Sequence, residues 1–311
     1  MAQLNRLLAS ALLLPPLLCG CGLFRKAAVD GVSEAFLGGA AADAFASDDD
    51  PELVRDALPF SLKTSEILIA QNPRSPALRL AAASGFVQYA SAFLDDEAGM
   101  LMETDLARAR ALQGRAAGLY QRGRDHALAG LELAHPGLRA RLRENPAAAL
   151  AGVERAEAPL LFWAGAGWAG AISVSPGNPA LTADLPLAGA LANRALELDE
   201  AWGDGTIHEF FISFEGGRAG ALGGSEPRAR EHFRRAVELT GGRKASPYVS
   251  LAATVSVQRQ DLAEFKALLA QALAVDVSAE PRWRLSNTLS QRKARWLLDH
   301  AADLFVEEEQ P

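Results

Sequence analysis

The feature that most constrains the fold is a helix end that recurs along the chain. Its clearest copy lies in 187–214, where leucines and alanines at helical spacing form one apolar stripe. Turn-forming residues at 203–205 then end this helix. Thr206 and Glu209 follow with the spacing of a capping box, which predicts that another helix begins at Thr206. The stretch therefore predicts a helix, a short turn and a second helix.

Four other segments resemble this helix end, and their spacing indicates a repeat. Between the second residues of successive segments the intervals are 64, 65, 41 and 36 residues. The first two are close to twice a unit of about 33 residues, near the period of tetratricopeptide helix pairs, and the last two are single units with small insertions. We therefore predict an all-α fold, a degenerate tetratricopeptide-like helix-pair α-solenoid, with an irregular helical bundle as the alternative. The segments are SEILIAQNP from Ser65, AGLELAHP from Ala129, RALELDE from Arg194, RAVELTG from Arg235 and QALAVDV from Gln271.

The N-terminus carries the pattern of an exported lipoprotein. Arg6 precedes an apolar run at 7–18, which is too short to cross a bilayer but suits the core of a signal peptide. The run leads into Leu-Cys-Gly-Cys, which resembles a bacterial lipobox with Cys21 as the acylated residue, because the small residue Gly20 precedes it. We predict a signal peptide at 1–20 and a membrane anchor at Cys21. A plain secretory signal with incidental cysteines is the alternative.

Such an anchor places the protein on the periplasmic side of a bacterial membrane. Gly22 stands where lipoproteins retained in the inner membrane often carry Asp, so the outer membrane is favoured. After cleavage Cys21 is the last cysteine, which excludes disulfides and thiolate metal sites from the mature chain. We assign 21–50 to the anchor and an N-terminal helical segment, 51–306 to the repeat domain and 307–311 to an acidic tail.

Composition and motifs exclude several classes of function. The formal net charge is −7, and no basic block is interleaved with aromatic residues, so nucleic acid is not an expected partner. The sequence holds no GxSxG nucleophile motif, P-loop or calcium-binding EF-hand loop. We therefore predict no enzyme activity, no cofactor and no metal site.

Two motifs imitate known sites. The segment at 165–170 reads GAGWAG and matches the dinucleotide-binding pattern GxGxxG, but it lies within an apolar helical stretch rather than after a strand. Small residues that let two helices approach closely explain it better. His208 and Glu209 begin like a zinc-protease helix, but Ile212 occupies the position of the second histidine. We interpret His208 as hydrogen-bonded across the repeat, or as a polar group on a concave binding surface.

Aromatic residues cluster in the sequence around the recurrent turn. Most are expected in the core, and the alternative is an apolar pocket with a few polar groups at its mouth. They are Phe162, Trp163, Trp168, Trp202, Phe210 and Phe211.

Longer stretches carry a resemblance to a known family. They read LFWAGAGWAGAISVS, ADLP, NRALELDEAWGDGTIHEFFIS, RAREHFRRAVEL and RLSNTLSQRKARWLL, in this order, between about Pro51 and Leu298. In this order they resemble the TRAP-transporter T-component family, tetratricopeptide-like lipoproteins of the bacterial periplasm. The resemblance implies association with the substrate-binding component of a tripartite transporter. It also implies homotrimers with a pore through each protomer, and hydrophobic ligands such as carboxylates or lipids.

The same resemblance supplies candidate site residues on a concave surface or pore. The function it implies is a non-enzymatic lipoprotein that docks a TRAP-type periplasmic substrate-binding protein and passes on a small hydrophobic or carboxylate ligand. The alternative is a general repeat scaffold for envelope assembly with no role in transport. By their positions in the matching motifs, the candidates are Trp163, Trp168, Asp184, Trp202, His208 and Glu209.

Overall fold

A computed structural model describes residues 39–306, and across them the chain is all-α. This confirms the predicted fold class, since helices and short connections make up the described part of the chain without a β-strand. No helix within 39–306 has both the length and the apolar character needed to cross a membrane. The predicted signal peptide, the acylated Cys21, the first part of the 21–50 segment and the tail at 307–311 lie outside the described residues.

The helices begin where the local chemistry favours a start. The side chains of Asp50, Ser75 and Asp105 accept backbone N–H groups in the first turns of the helices that follow them. The α-helices are α1 (Gly39–Ala46), α2 (Pro51–Gln71), α3 (Pro76–Tyr89), α4 (Asp96–Leu101), α5 (Leu106–Leu131), α6 (Leu138–Glu144), α7 (Pro146–Leu150), α8 (Ala158–Ser173), α9 (Pro179–Thr182), α10 (Leu185–Leu198), α11 (Thr206–Gly216), α12 (Glu226–Thr240), α13 (Ser246–Leu251), α14 (Leu262–Ala274), α15 (Arg284–Asp299) and α16 (Ala301–Leu304).

The recurrent motif marks helix ends, as predicted. Each of its five copies lies at the C-terminal end of a long helix, and the next helix packs back nearby. The helices concerned are α2, α5, α10, α12 and α14, which end at Gln71, Leu131, Leu198, Thr240 and Ala274.

A glycine lies in the middle of the long helix α5. Glycine ordinarily weakens a helix, but α5 runs through Gly123 without interruption. A Cβ atom at Gly123 would lie 2.6 Å from Cγ2 of Val87 and 2.9 Å from the carbonyl oxygen of Ala83. The glycine therefore serves the close approach of α3 and α5 rather than ending a helix.

The predicted capping box is wrong. The N-cap of α11 is Gly205, which has a φ of +84° and no side chain to receive a hydrogen bond. The Thr206 hydroxyl donates instead to the carbonyl oxygen of Gly203 at 2.6 Å. A left-handed glycine starts this helix, so the Glu209 carboxylate is available to other partners.

Helix α8 lies at the centre of the packing, between α5 and α10. A Cβ at Gly165 would lie 2.8 Å from the carbonyl oxygen of Ala188, and one at Gly167 would lie 2.8 Å from that of Tyr120. Both neighbouring atoms are backbone, which cannot move aside as a flexible side chain can. The interpretation of 165–170 as a close helix contact is confirmed.

Three apolar clusters form the core in chain order. The N-terminal cluster joins α2, α3 and part of α5, the middle cluster extends from α5 to α11, and the C-terminal cluster joins α11 to α15. Neighbouring clusters share helices, so each group of helices is supported by the next, as in repeat proteins.

Helix α15 returns to the first helices and closes the array. Two of its leucines pack against the N-terminal cluster. Arg284 Nη1 donates to the carbonyl oxygen of Ser47 at 3.2 Å, and Lys293 Nζ lies 2.5 Å from Oδ1 of Asp96. An open solenoid has two free ends, so this closing contact is a feature that the repeat pattern does not predict.

Candidate functional site

The closed array surrounds a cavity of about 1610 Å³. Residues of α1, α2 and α3 line it at one side, α8 and α11 at another, and α15 at a third. Because both the first and the last helices contribute to its lining, the cavity depends on the closing contact of α15.

One part of the cavity is lined by aromatic rings, which we call the aromatic wall: Phe162, Trp163, Phe210 and Phe214. The Phe162 ring centroid lies 4.8 Å from that of Trp163 and 5.9 Å from that of Phe210, both edge to face. Phe210 and Phe214 share one face of α11 because they are four residues apart, and their rings stack at 5.1 Å. Such mutual contacts hold the rings in place and leave one apolar surface towards the cavity.

A buried ion pair lies next to this wall. Lys244 is only 6% exposed, and its Nζ lies 2.8 Å from Oε1 of Glu209. The same ammonium group donates to the carbonyl oxygens of Gly203 and Asp204 at 3.3 and 3.4 Å. The Ser246 hydroxyl donates to the other Glu209 oxygen at 2.6 Å. These bonds join the start of α11 to the start of α13.

A second set of contacts continues this charged region. Asp204 has a φ of +54°, which is uncommon for a residue with a side chain, and its carboxylate accepts from Trp283 Nε1 at 3.3 Å. Arg282 Nη1 lies 3.0 Å from the same carboxylate. We call Asp204, Glu209, Lys244 and Arg282 the polar end of the cavity, since all four line it. The two acids and the two bases there pair with each other, Lys244 with Glu209 and Arg282 with Asp204.

Arg218 holds a glycine-rich loop where the cavity meets solvent. Its guanidinium carbon lies 3.9 Å from the centroid of the Phe214 ring, and Nη1 donates to the carbonyl oxygen of Leu222 at 3.2 Å. Burial lowers the pKa of this guanidinium from its usual value. Leu222 lines the cavity and is nevertheless 69% exposed. The loop therefore places one apolar side chain at the mouth.

The cavity includes two of the six candidate residues, Trp163 and Glu209. Trp202 does not line it but supports the aromatic wall, with its ring centroid 5.3 Å from Phe162 and 6.1 Å from Trp163. Glu209 owes its role to the absence of the capping box, which leaves its carboxylate to bind Lys244 and Ser246.

Trp168 and Asp184 lie together at a different place. The buried Trp168 ring lies 5.0 and 5.8 Å from the guanidinium carbons of Arg124 and Arg143. Asp184 binds Arg143 through both carboxylate oxygens, at 2.8 and 2.9 Å. Arg143 thus connects the two candidates and joins α6 and α8 to the start of α10.

His208 is buried and contacts α12 rather than the cavity. Its Nδ1 lies 2.9 Å from Nδ1 of His232, so the N–H group of one ring donates a hydrogen bond to the other ring. The Nε2 atom of His208 lies 3.7 Å from the Glu200 carboxylate. Burial lowers the pKa of His208, and burial with the neighbouring His208 lowers the pKa of His232 to about 4. The structure shows the hydrogen bond across the helix pair that we considered for this residue.

A sequence model described as TRAP transporter T-component matches residues 47–305. The chain belongs to the TRAP transporter T-component family. It is also similar to an uncharacterised protein of Treponema pallidum (strain Nichols), with 29% identity over 267 residues, which cover 85% of this chain and 83% of that protein.

Membership in the T-component family confirms the resemblance seen in the sequence and associates the protein with a TRAP transporter. It also indicates association with a bacterial membrane. The family is a transporter component and not an enzyme family.

Four further residues of this T-component line the cavity but lie outside the family motifs quoted above: Arg218, Lys244, Arg282 and Trp283. Lys244 stands alone between two helices, and no local pattern distinguishes it from a surface lysine. The nearest sequence signal is Pro281, which precedes Arg282 and Trp283. A proline there indicates the start of a helix, but it does not indicate which residues lie close to Arg282 and Trp283 in the fold.

Proposed function

We propose that this T-component docks the substrate-binding component of a TRAP transporter and relays a small amphipathic ligand, hydrophobic or carboxylate, through its central cavity. The observation that supports the relay is the cavity, in which an aromatic wall adjoins a polar end. An apolar body and a charged head group would each find a complementary surface there. No catalytic step is part of the proposal.

The dimensions of the cavity support an extended ligand. At about 1610 Å³ it exceeds the roughly 300–1,000 Å³ of typical small-molecule pockets. Alanine, leucine and aromatic residues make up nearly half of the lining residues, and serines such as Ser61 and Ser213 lie among them. The apolar residues offer a surface to a hydrocarbon chain, and some of the hydroxyl groups, such as those of Ser84 and Ser173, already donate to carbonyl oxygens of their own helices.

The proposal keeps the division of the chain made from the sequence. A signal peptide at 1–20 is removed, acylated Cys21 attaches the protein to the periplasmic face of the membrane, the outer one in preference, and 51–306 forms the working domain. A homotrimer, which the family resemblance implies, stays a prediction.

We place the docking site at the turn between α10 and α11. This turn carries Asp204 and precedes Glu209, so a protein bound there would contact the polar end and could receive a ligand directly. A partner bound far from the cavity would need a separate route for the ligand.

A capture experiment tests the docking. The chain from Gly22, which contains every described residue, is immobilised, exposed to periplasmic extract of the native organism, and the bound proteins are identified by mass spectrometry. We expect a TRAP-type substrate-binding protein. Asp204→Gly should reduce its capture, because glycine keeps the positive φ and removes the carboxylate. Asp276→Gly, at an exposed turn elsewhere, is the matched control.

Two other results would contradict the proposal. Capture of envelope-assembly proteins alone would favour the general scaffold without a transport role. Capture of a substrate-binding protein with equal yield by the Asp204→Gly variant would move the docking site away from the turn.

A further inference from the structure

Helix α2 presents a row of apolar side chains to solvent. Leu53, Phe60 and Ile67 are 59%, 70% and 60% exposed, although the opposite face of α2 is buried in the N-terminal cluster. They recur every seven residues, which is close to two helical turns, so they lie along one side of the helix. We call these three residues the apolar row. Large apolar side chains that gather on the surface indicate a site that binds a partner or a membrane.

The positive charge of the protein is concentrated beside this helix. The segment 106–144 holds α5 and α6, with eight arginines and three acids, so its formal net charge is +5. The whole chain has a net charge of −7, which leaves −12 for the rest. A chain with its charges separated in this way has one basic side, and that side is attracted to a negatively charged surface.

Ion pairs show that α5 runs alongside α2. Glu66 of α2 accepts a hydrogen bond from Arg122 of α5 at 2.6 Å. Nearer the start of both helices, Glu97 of α4 lies 2.9 Å from Arg55 of α2 and 2.5 Å from Arg108 of α5. Early residues of α2 are thus joined to early residues of α5, and late ones to late ones. The basic segment therefore lies next to the helix that carries the apolar row.

The bases on these two helices outnumber the acids that they bind. Glu66 and Glu97 are each shared by two bases. Arg115 is exposed and makes no ion pair within residues 39–306, and its guanidinium carbon lies 6.0 Å from the centroid of the Tyr89 ring. The face formed by α2, α5 and their ion-pair partners has a net charge of +2, from Arg55, Lys63, Arg108, Arg115, Arg122, Arg292, Glu52, Asp56, Glu66 and Glu97.

We propose that this face lies on the surface of the membrane. The apolar row enters the boundary between the lipid head groups and the acyl chains, and the arginines of α5 bind the phosphate groups of anionic lipids. Arginine suits this position because its long side chain reaches the head groups and its guanidinium binds phosphate through two parallel hydrogen bonds.

A membrane is close to this face. The family indicates association with a bacterial membrane, and α2 begins 30 residues after Cys21, the predicted anchor. The inference rests on the proposed function only for that anchor, since docking and ligand relay are not part of it. It also agrees with a homotrimer, because several copies arranged around an axis perpendicular to the membrane can all contact the same lipid surface.

Co-sedimentation with lipid vesicles tests the contact. The chain from Gly22, which lacks the acylated cysteine, is mixed with vesicles of phosphatidylcholine, either alone or with about one third phosphatidylglycerol. We expect it to bind the anionic vesicles about tenfold more strongly than the neutral ones, because the face has a net positive charge. Failure to bind either kind of vesicle would overturn the inference and would leave docking and relay unaffected.

A variant tests the apolar row. Phe60→Ser should weaken binding to the anionic vesicles by about tenfold, because the inserted apolar side chain is lost. Leu262→Ser is the matched control, since Leu262 is an exposed leucine at the start of α14. Both side chains are exposed, so thermal unfolding should hardly change in either variant. Equal binding by the two variants would exclude insertion of the row.

A second variant tests the basic component. Arg115→Gln should weaken binding to the anionic vesicles by about fivefold and leave binding to the neutral ones unchanged. Arg110→Gln is the control, because Arg110 is an exposed arginine of the same helix that lies about 140° around it from Arg115. An equal loss in both variants would indicate general attraction of the basic segment and would contradict contact through this face.

The other possible occupant of the row is a second copy of the chain. Light scattering of the chain from Gly22, without lipid, should give the same mass for the natural sequence and for Phe60→Ser. A lower mass for the variant would show that the row joins protomers, and this result would overturn the membrane contact.

Discussion

The ammonium group of Lys244 meets the carboxylate of Glu209 at 2.8 Å, although 35 residues separate them along the chain. Lys244→Met should lower the free energy of unfolding by about 3 kcal/mol, because it leaves a largely buried carboxylate without its partner. Replacing Glu209 by Leu in the same chain should restore about half of that loss. Urea unfolding measures both. An unchanged midpoint for Lys244→Met would show that the pair does not hold the polar end together.

Replacing a packed glycine of α8 by alanine should destabilise the protein, whereas the same replacement of a surface glycine should stabilise it. Gly167→Ala should lower the free energy of unfolding by about 2 kcal/mol, since the new Cβ meets the Tyr120 carbonyl oxygen at 2.8 Å. Gly118→Ala should raise it by roughly 0.8 kcal/mol, because nothing lies within 4 Å and alanine favours the helix. Thermal unfolding of the two variants tests the contrast. A stabilised Gly167→Ala would refute the close contact of α5 and α8.

Acid should destabilise the fold through the His208–His232 pair. Burial lowers the pKa of both rings, that of His232 to about 4, so both are neutral in the folded protein near pH 7. The unfolded chain takes up protons near the ordinary histidine pKa of about 6.5 and so binds more of them below that pH. The free energy of unfolding should therefore fall as pH drops from about 6.5 towards about 4.

A variant isolates this pH effect. His232→Asn should flatten the dependence, measured as the difference from the natural chain at each pH. The comparison matters because burial raises the pKa of Asp95 to about 6, which favours the folded protein in acid and has the opposite sign. Parallel curves for the two proteins would show that the histidine pair has no such effect.

Filling the cavity should weaken ligand binding without unfolding the protein. Ala166 lines the cavity on α8, and Ala166→Trp should weaken binding of a fluorescent long-chain carboxylate, cis-parinarate, by about tenfold or more. Ala111→Trp on the exposed face of α5 is the control and should bind as the natural chain does. Fluorescence titration measures the affinity. Equal affinity of both variants would place the ligand elsewhere.

Local chemistry explains why the helices could be predicted from the sequence. Apolar spacing, caps and recurring ends depend on residues a few positions apart, and the ends at Leu198 and Thr240 follow from them. Gly123 shows the limit, because local reasoning takes it for a helix breaker. Only its contact with Val87 of α3 reveals that it is a packing residue.

The site could be predicted only in part because it is assembled by distant contacts. Trp163 and Glu209 belong to recognisable motifs and line the cavity, but Trp168 and Asp184 belong to equally clear motifs and pair with Arg143 elsewhere. A family motif therefore marks residues that make specific contacts, but it does not show which of these residues line the same surface. Trp283 approaches its hydrogen-bond partner Asp204 from 79 positions away, a contact that no local sequence pattern shows.

Because α15 contacts the first helices, the number of helices in the closed array sets the width of the cavity that they surround. In an open stack an added helix pair extends one end and leaves the others in place. Here an added pair would separate Lys293 from Asp96 and open the circle. Changes of side chains or of the glycine-rich loop at 216–225 can alter the shape of the cavity, but a wider cavity requires a different contact between α15 and the first helices.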